Sequence, residues 1–264
     1  MLKELNFAIY AIKKNIQSSA ELRSSFVTNV IGMAINNTAF IIIWVFFVKS
    51  VGVINGWTAV DIIGLLGFGA LSYGIVFSLG AGIRKLPDYI AGGGFDRFML
   101  SPKNLLIRLG TSAFNASAIG DIIFGFCCLV IYGILSQLNI QQVIMITLLV
   151  IVSITVFIAA AIFAYSTSFL FVDGNAASSS IFELFMTPTL FNGGAFQGAT
   201  RFVFTFIIPS LAVGALPVEI IKNMSISQFF VLCIVAIIWL LLSLKFFNWG
   251  VKKYESTNFM TFSS

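Results

Sequence analysis

Histidine occurs nowhere in the 264 residues. Its absence removes the commonest general base, the Ser–His pair and imidazole metal ligation from any chemistry this chain performs alone. Charge is scarce: only 9% of residues are charged, against about a quarter in soluble domains. The three cysteines, Cys127, Cys128 and Cys233, sit inside apolar runs. There a thiol serves as a small buried side chain, so neither a disulfide frame nor a metal site is expected. No G-x-x-x-x-G-K-[ST] string occurs, and GGGFDR at 92–97 has neither the lysine nor the preceding strand of a phosphate-binding loop. No cofactor is expected on this chain, and no nucleic-acid partner.

What is present is grease. Hydrophobic residues make up 59% of the chain and the mean hydropathy is +1.02. A soluble core cannot bury that much apolar surface at this length, so the expected solvent is lipid. The charged segments between apolar runs are too short to fold alone. One all-α integral membrane domain over 1–264 is expected, in the cell membrane. The start is charged rather than a short apolar leader core, so it is expected to be retained.

Leu2, Leu5, Ile9, Ile12 and Ile16 are spaced 3, 4, 3 and 4. That places them on one face of a basic helix over 1–22, which is read as lying in the headgroup plane or packing on protein. Long apolar runs follow at 26–48, 59–82, 108–135, 143–172 and 226–247. A weaker one at 176–198 is interrupted by Glu183, Pro188 and three glycines. The stretch 202–217 is apolar but broken by Pro209, Gly214 and Pro217.

Basic residues arbitrate, because cytoplasmic loops are enriched in them. Six spans with both termini inside put 12 of the 15 Lys and Arg in the cytoplasm, leaving Lys49, Arg201 and Lys222 outside. If 202–217 also crossed, Lys245, Lys252 and Lys253 would move outside, giving 9 against 6. Six spans are therefore expected, with 202–218 an external re-entrant hairpin between spans five and six.

This places LPDYIAGGGFDRFMLSP, residues 86–102, in a strongly basic cytoplasmic connection over 83–108. Pro87 suits a helix start and Gly92–Gly94 a helix end. Phe95, Phe98 and Met99 recur at helical spacing before Ser101–Pro102. Two short helical elements are expected. Their aromatic side chains either form a patch for a partner or cover the protein's own cytoplasmic face.

The string L-P-x-x-I-x-x-G-x-x-D-x-x-x-x-x-P, on Leu86, Pro87, Ile90, Gly93, Asp96 and Pro102, resembles the loop after span two in a branch of the ABC-2 type permeases. ELRSSF at 21–26, Gly56–Trp57, Asp121 and FFNWGVKKYES at 246–256 extend the resemblance over nearly the whole chain. It implies the membrane subunit of an ATP-binding-cassette exporter, with six spans, an interfacial helix and an external hairpin. ATP and Mg would then be handled by partner ABC ATPase subunits. The partner permease subunit would be identical or a sister chain, and both would sit in membrane lipid. The loop resembles a coupling helix, so Phe95, Asp96, Arg97 and Phe98 join the motif residues as candidate ATPase contacts.

Polar residues within spans are costly and mark candidates. Asn29, Gly32 and Asn36 form a stripe on the first span, with Asn37 and Thr38 beside it. Asp121 is expected near the middle of span three and Glu183 within the weak fifth span. Asn29, Asn36, Asp121 and Glu183 either contact substrate or act as interhelical glue. Gly194 and Gly198 form a GxxxG. Without an ATPase, the remaining readings are an integral membrane enzyme or a passive channel. Absent histidine and unclustered carboxylates oppose the first, and the lack of a repeated charged ring opposes the second.

Overall fold

The computed structural model describes residues 2–52, 55–171 and 173–254, and among these every regular element is helical. Five helices are long and apolar enough to cross a membrane, over Arg23–Phe46, Ala59–Leu79, Ser117–Leu135, Ile140–Phe169 and Ile226–Lys253. The protein is thus a multi-pass membrane protein. Helix α1 (Leu2–Glu21) precedes α2 (Arg23–Val51), with Leu22 at the break. On α1, Ile9 and Ile16 face outward while Asn15 bonds the rest of the protein. Of the expected apolar stripe, Ile9 and Ile16 are thus exposed and Ile12 is half-buried; the side chains of Leu2 and Leu5 lie outside the described residues.

Helix α3 (Ala59–Leu79) opens with a reciprocal cap between Thr58 and Asp61 and is the most enclosed of the five. After it come the short helices α4 (Leu86–Ala91), α5 (Asp96–Met99) and α6 (Leu105–Gly110), and then α7 (Ser117–Leu135). The expected span 108–135 is corrected at its start. Residues 105–110 form a separate helix capped by Asn104, and the non-helical stretch 111–116, with Thr111, Ser112 and Asn115, separates it from α7.

Helices α3 and α7 pack antiparallel through glycine. A side chain added at Gly64 or Gly67 would strike Tyr132 or Leu129. One at Gly74 would come within 2.7 Å of the Ile122 backbone nitrogen, and one at Gly125 within 2.4 Å of that of Leu71. The pairs 64–132, 67–129, 71–125 and 74–122 step in opposite directions, with spacing 3, 4, 3 on each helix. Backbones approach this closely only where one partner has no Cβ.

Helix α8 (Ile140–Ser166), capped by Asn139 and Gln142, packs along α12 (Ile226–Lys253). Between them α9 (Gly174–Thr189) stops after 16 residues. The run 176–198 is therefore not one helix: a 3-10 turn at Gly193–Ala195 and extended residues at Phe196 and Gln197 follow. Helix α10 (Gly198–Phe202) continues into a π turn over Val203–Ile207. The chain then turns through buried Ser210–Gly214 into α11 (Ala215–Asn223). The GxxxG expectation is also corrected, because Gly194 lies in the 3-10 turn and Gly198 opens α10 with φ +54°.

An aromatic cluster fills the centre. Phe77 lies 5.6 Å from Phe182, Phe157 lies 5.5 Å from Phe185, and Tyr165 lies 5.4 Å from Phe182, joining α3, α8 and α9. The first two are edge-on and the third is tilted; favourable ring pairs hold centroids at about 4.5–7 Å.

Candidate functional sites

Three places concentrate polar chemistry: the connection after α3, a cavity beside Asp121, and the opposite end of the bundle.

The connection after α3 is a packed block. A 3-10 turn at Ala81–Lys85 leads into α4, with Pro87 in its first turn, where no amide hydrogen is needed. Gly93, at φ +65°, makes the left-handed turn that ends it. The Phe95 amide then donates back to the Tyr89 carbonyl at 2.9 Å, which folds α5 against α4. Leu86, Pro87, Phe95 and Phe98 are buried, and Phe95 is 0% exposed. The aromatic side chains therefore do not form an outward patch: Phe95 meets Phe169 at 5.3 Å and Tyr254 at 4.9 Å, both edge-on. Arg97, Met99 and Leu100 are exposed, Leu100 at 87%, and so are Arg84, Lys85, Asp88 and Pro102. Ile90 and Gly93 are half-buried, and Pro102 follows where α5 has ended.

Polar bonds tie this block to the rest of its end. Arg108 donates to the Phe98 carbonyl at 2.6 Å and the Arg97 carbonyl at 3.3 Å, closing α5. Asn175 of α9 donates to Asp88 at 3.0 Å, and Asn15 of α1 to the Thr111 carbonyl at 2.7 Å. Tyr254, just past α12, has its hydroxyl pKa pushed up to about 12 by burial and by the Asp96 carboxylate beside it. The amino-terminal helix, the loop and the end of α12 thus meet at one basic end.

Within the bundle, the Asn37 amide donates to Asp121 Oδ1 at 2.6 Å. Asp121 is 3% exposed, and no described protein group lies within hydrogen-bonding reach of its Oδ2. It lines a cavity of about 270 Å³ between α2, α3, α7 and α9. Two expectations are corrected. Asp121 is the fifth residue of α7, nearer the basic end than mid-helix, because the helix starts late. Its partner is Asn37, whereas Asn36 is exposed. Asn29 is exposed too, within 3.4 Å of Ser25 Oγ, and Glu183 is exposed and does not line the cavity.

At the opposite end, Lys222 bridges Asp61 at 2.8 Å and donates to the Gly56 carbonyl at 2.8 Å. Arg201 pairs with both oxygens of Glu219 and reaches the Gly193 carbonyl at 3.3 Å. The broken segment is thereby fastened to α3 and to itself. Trp239, well along α12, donates to the Phe206 carbonyl at 2.9 Å, and Gly214 closes on the Leu65 backbone. Both contacts lie farther into the bundle than the ion pairs.

Residues 33–258, 226 of the 264, match the family model described as ABC-2 family transporter protein. The chain is a member of that family. No curated protein and no solved structure matches it. As a membrane component of ABC-2 transporters, the chain is placed among proteins that generally work with ABC ATPase subunits.

Two features are not marked by the sequence pattern. Arg108 reads there only as a charge, although its bonds to the Phe98 and Arg97 carbonyls close the loop. The glycines of α3 and α7 carry a 3, 4, 3 signal that is visible once both helices are aligned antiparallel.

Proposed function

We propose that this chain is the permease subunit of an ATP-binding-cassette exporter, with the 81–112 block as the surface that receives an ATPase subunit. The observation that carries the reading is the block's construction. Its buried Phe95 and Phe98 join α4, α5, the 3-10 turn Thr167–Phe169 that follows α8, and Tyr254 into one packed body, and Leu100, Met99 and Arg97 stand out from it. An exposed apolar pair beside a cation suits a groove on a cytoplasmic partner. A body packed this way transmits a displacement instead of absorbing it.

In this reading the basic end is cytoplasmic, which follows the 12-to-3 distribution of Lys and Arg. Helix α1 lies in the headgroup plane with Ile9 and Ile16 in lipid. Helix α9 serves as the fifth of six spans, and residues 198–223 form the external re-entrant hairpin. Its depth is supported by the Trp239–Phe206 and Gly214–Leu65 contacts. ATP and Mg are bound by the partner ATPase. A second permease subunit, identical or related, completes the transport path for an amphiphilic or hydrophobic substrate.

The test is co-purification with candidate ABC ATPase subunits of the same genome, identified by a Walker A motif, comparing the parent with Leu100→Glu. Leu100 contributes nothing to the buried core, so the variant should keep its thermal stability while losing the complex or its ATP turnover. An intact complex with unchanged turnover would overturn the docking assignment.

A further inference from the structure

Helix α1 has two faces with different partners. Its inward face brackets α6: the Glu4 carboxylate accepts from the Asn104 amide at 3.3 Å, Lys103 lies 5.0 Å from the Phe7 ring, and Asn15 donates to the Thr111 carbonyl at 2.7 Å. Asn104 and Thr111 are the two caps of α6. The outward face is bare. Ile9, Lys13 and Ile16 recur there at spacings of 4 and 3, with Tyr10, Lys14 and Gln17 one residue on, and all six are exposed. Lys14 leans over the Tyr10 ring at 5.9 Å. Neither Lys13 nor Lys14 has an ion pair among the described residues, and Glu21 is the one exposed carboxylate among the described side chains of α1. Leu22 alone separates α1 from the span that opens at Arg23, so the helix sets out from the membrane surface. At that depth apolar side chains enter the acyl boundary, and lysine stems lie along it with their ammonium groups among the headgroups. Unpaired ammonium groups held there complement a negatively charged lipid surface, each strengthening binding about fivefold.

We infer that the outward face of α1 binds anionic phospholipid, Lys13 and Lys14 pairing with the headgroup charge while Ile9, Tyr10 and Ile16 enter the acyl boundary. The inference rests on the placement of α1 in the headgroup plane and names the lipid that holds it there. The bonds from α1 to both caps of α6 set this lipid contact beside the docking block.

The experiment is hydrogen–deuterium exchange of the full chain in nanodiscs of phosphatidylcholine, and of phosphatidylcholine mixed with phosphatidylglycerol, read over residues 6–17. Exchange should be slower in the anionic discs by about fivefold or more. Sodium chloride at about 1 M, where screening acts within about 3 Å, should remove the difference. Lys13→Gln with Lys14→Gln, a change neutral in helix propensity, should bring the two lipids within about twofold. Lys252→Gln with Lys253→Gln removes the same charge from exposed positions at the end of α12 and should keep the full difference. Equal exchange of the parent in the two lipids, an undiminished difference in the Lys13 and Lys14 variant, or an equal loss in the Lys252 and Lys253 variant would each overturn the inference. Slowing that appears only when an ATPase subunit is added would assign the face to protein and overturn it too. Ile9→Ser with Ile16→Ser, also near neutral in propensity, separates the two readings by testing insertion alone. If the lipids act equally but this variant exchanges faster than the parent, α1 keeps its place in the headgroup plane without the lysine contact; if it is unchanged, that placement falls as well. ATPase docking is tested separately by the Leu100 variant.

Discussion

Gly125→Ala and Gly133→Ala are the same chemical change eight residues apart on α7, with opposite expected results. A Cβ at position 125 would lie 2.4 Å from the Leu71 nitrogen and 2.8 Å from its Cα, whereas ordinary contact begins at 3.4 Å. Backbone cannot swing aside as a side chain can, so α3 and α7 must separate by about 1 Å. That separation loosens the neighbouring contacts at Gly64, Gly67 and Gly74 as well. Overpacking of this kind costs about 1–3 kcal/mol. At about 3 °C per kcal/mol for a chain of this size, the melting midpoint should fall by about 6 °C. At Gly133 nothing lies within 4 Å. There alanine should hold or raise stability, since glycine inside a helix costs about 1 kcal/mol. The assay is the midpoint of thermal loss of the monodisperse peak in detergent, measured for both variants beside the parent. Equal shifts for the two variants would refute the interlocked α3–α7 seam.

Two further outcomes follow from the basic end. Phe95→Ala empties a fully buried site at an expected cost of about 3–5 kcal/mol, borne locally by the 81–112 block; trypsin should cut after Arg97 markedly faster, whereas Leu100→Glu should leave that rate unchanged. For Tyr254, burial and Asp96 favour the neutral phenol. Its contribution is complete below the ordinary tyrosine pKa of about 10 and is lost as pH rises from there toward about 12. A 295 nm titration of the parent minus Tyr254→Phe should show a midpoint near the upper value, and one at or below 10 would refute the Asp96 contact.

Hydropathy made most of the membrane scaffold legible, because a spanning helix must be apolar over its whole length. The expected start at 108 came too early because Leu109 and Gly110 continue the apolar side chains of Leu105–Ile107; Asn104 and the mixed stretch 111–116, with Thr111, Ser112 and Asn115, mark a separate turn. Residues 176–198 were flagged as weak by Pro188 and the glycines, and the helix stops at Thr189. In the loop, the punctuation by Pro87 and Gly93 predicted both short helices. The direction of Phe95 and Phe98 was not readable, since helical spacing says which residues share a face but not what that face meets. The polar pair was half legible. Asp121 stood out as an intramembrane charge, but the choice of Asn37 over Asn36 depends on the rotation of α2 against α7. That rotation is set where Gly120 meets the Val30 carbonyl.

The α3–α7 seam also decides which parts of this molecule can move separately. Two helices locked at four successive levels behave as a single strut, and one end of that strut continues through Ala81–Lys85 into the loop block. At its far end are the turns at Asn55–Gly56 and Ser136–Asn139, where Asn55, Gly56 and Gln137 take positive φ. Lys222 and Gly214 fasten the broken segment to the α3 half of the strut. If an ATPase subunit bears on Leu100 as proposed, its displacement would pass through the block into this strut and on to residues 198–223, and through Phe77 and Phe95 into α8 and the end of α12 as well.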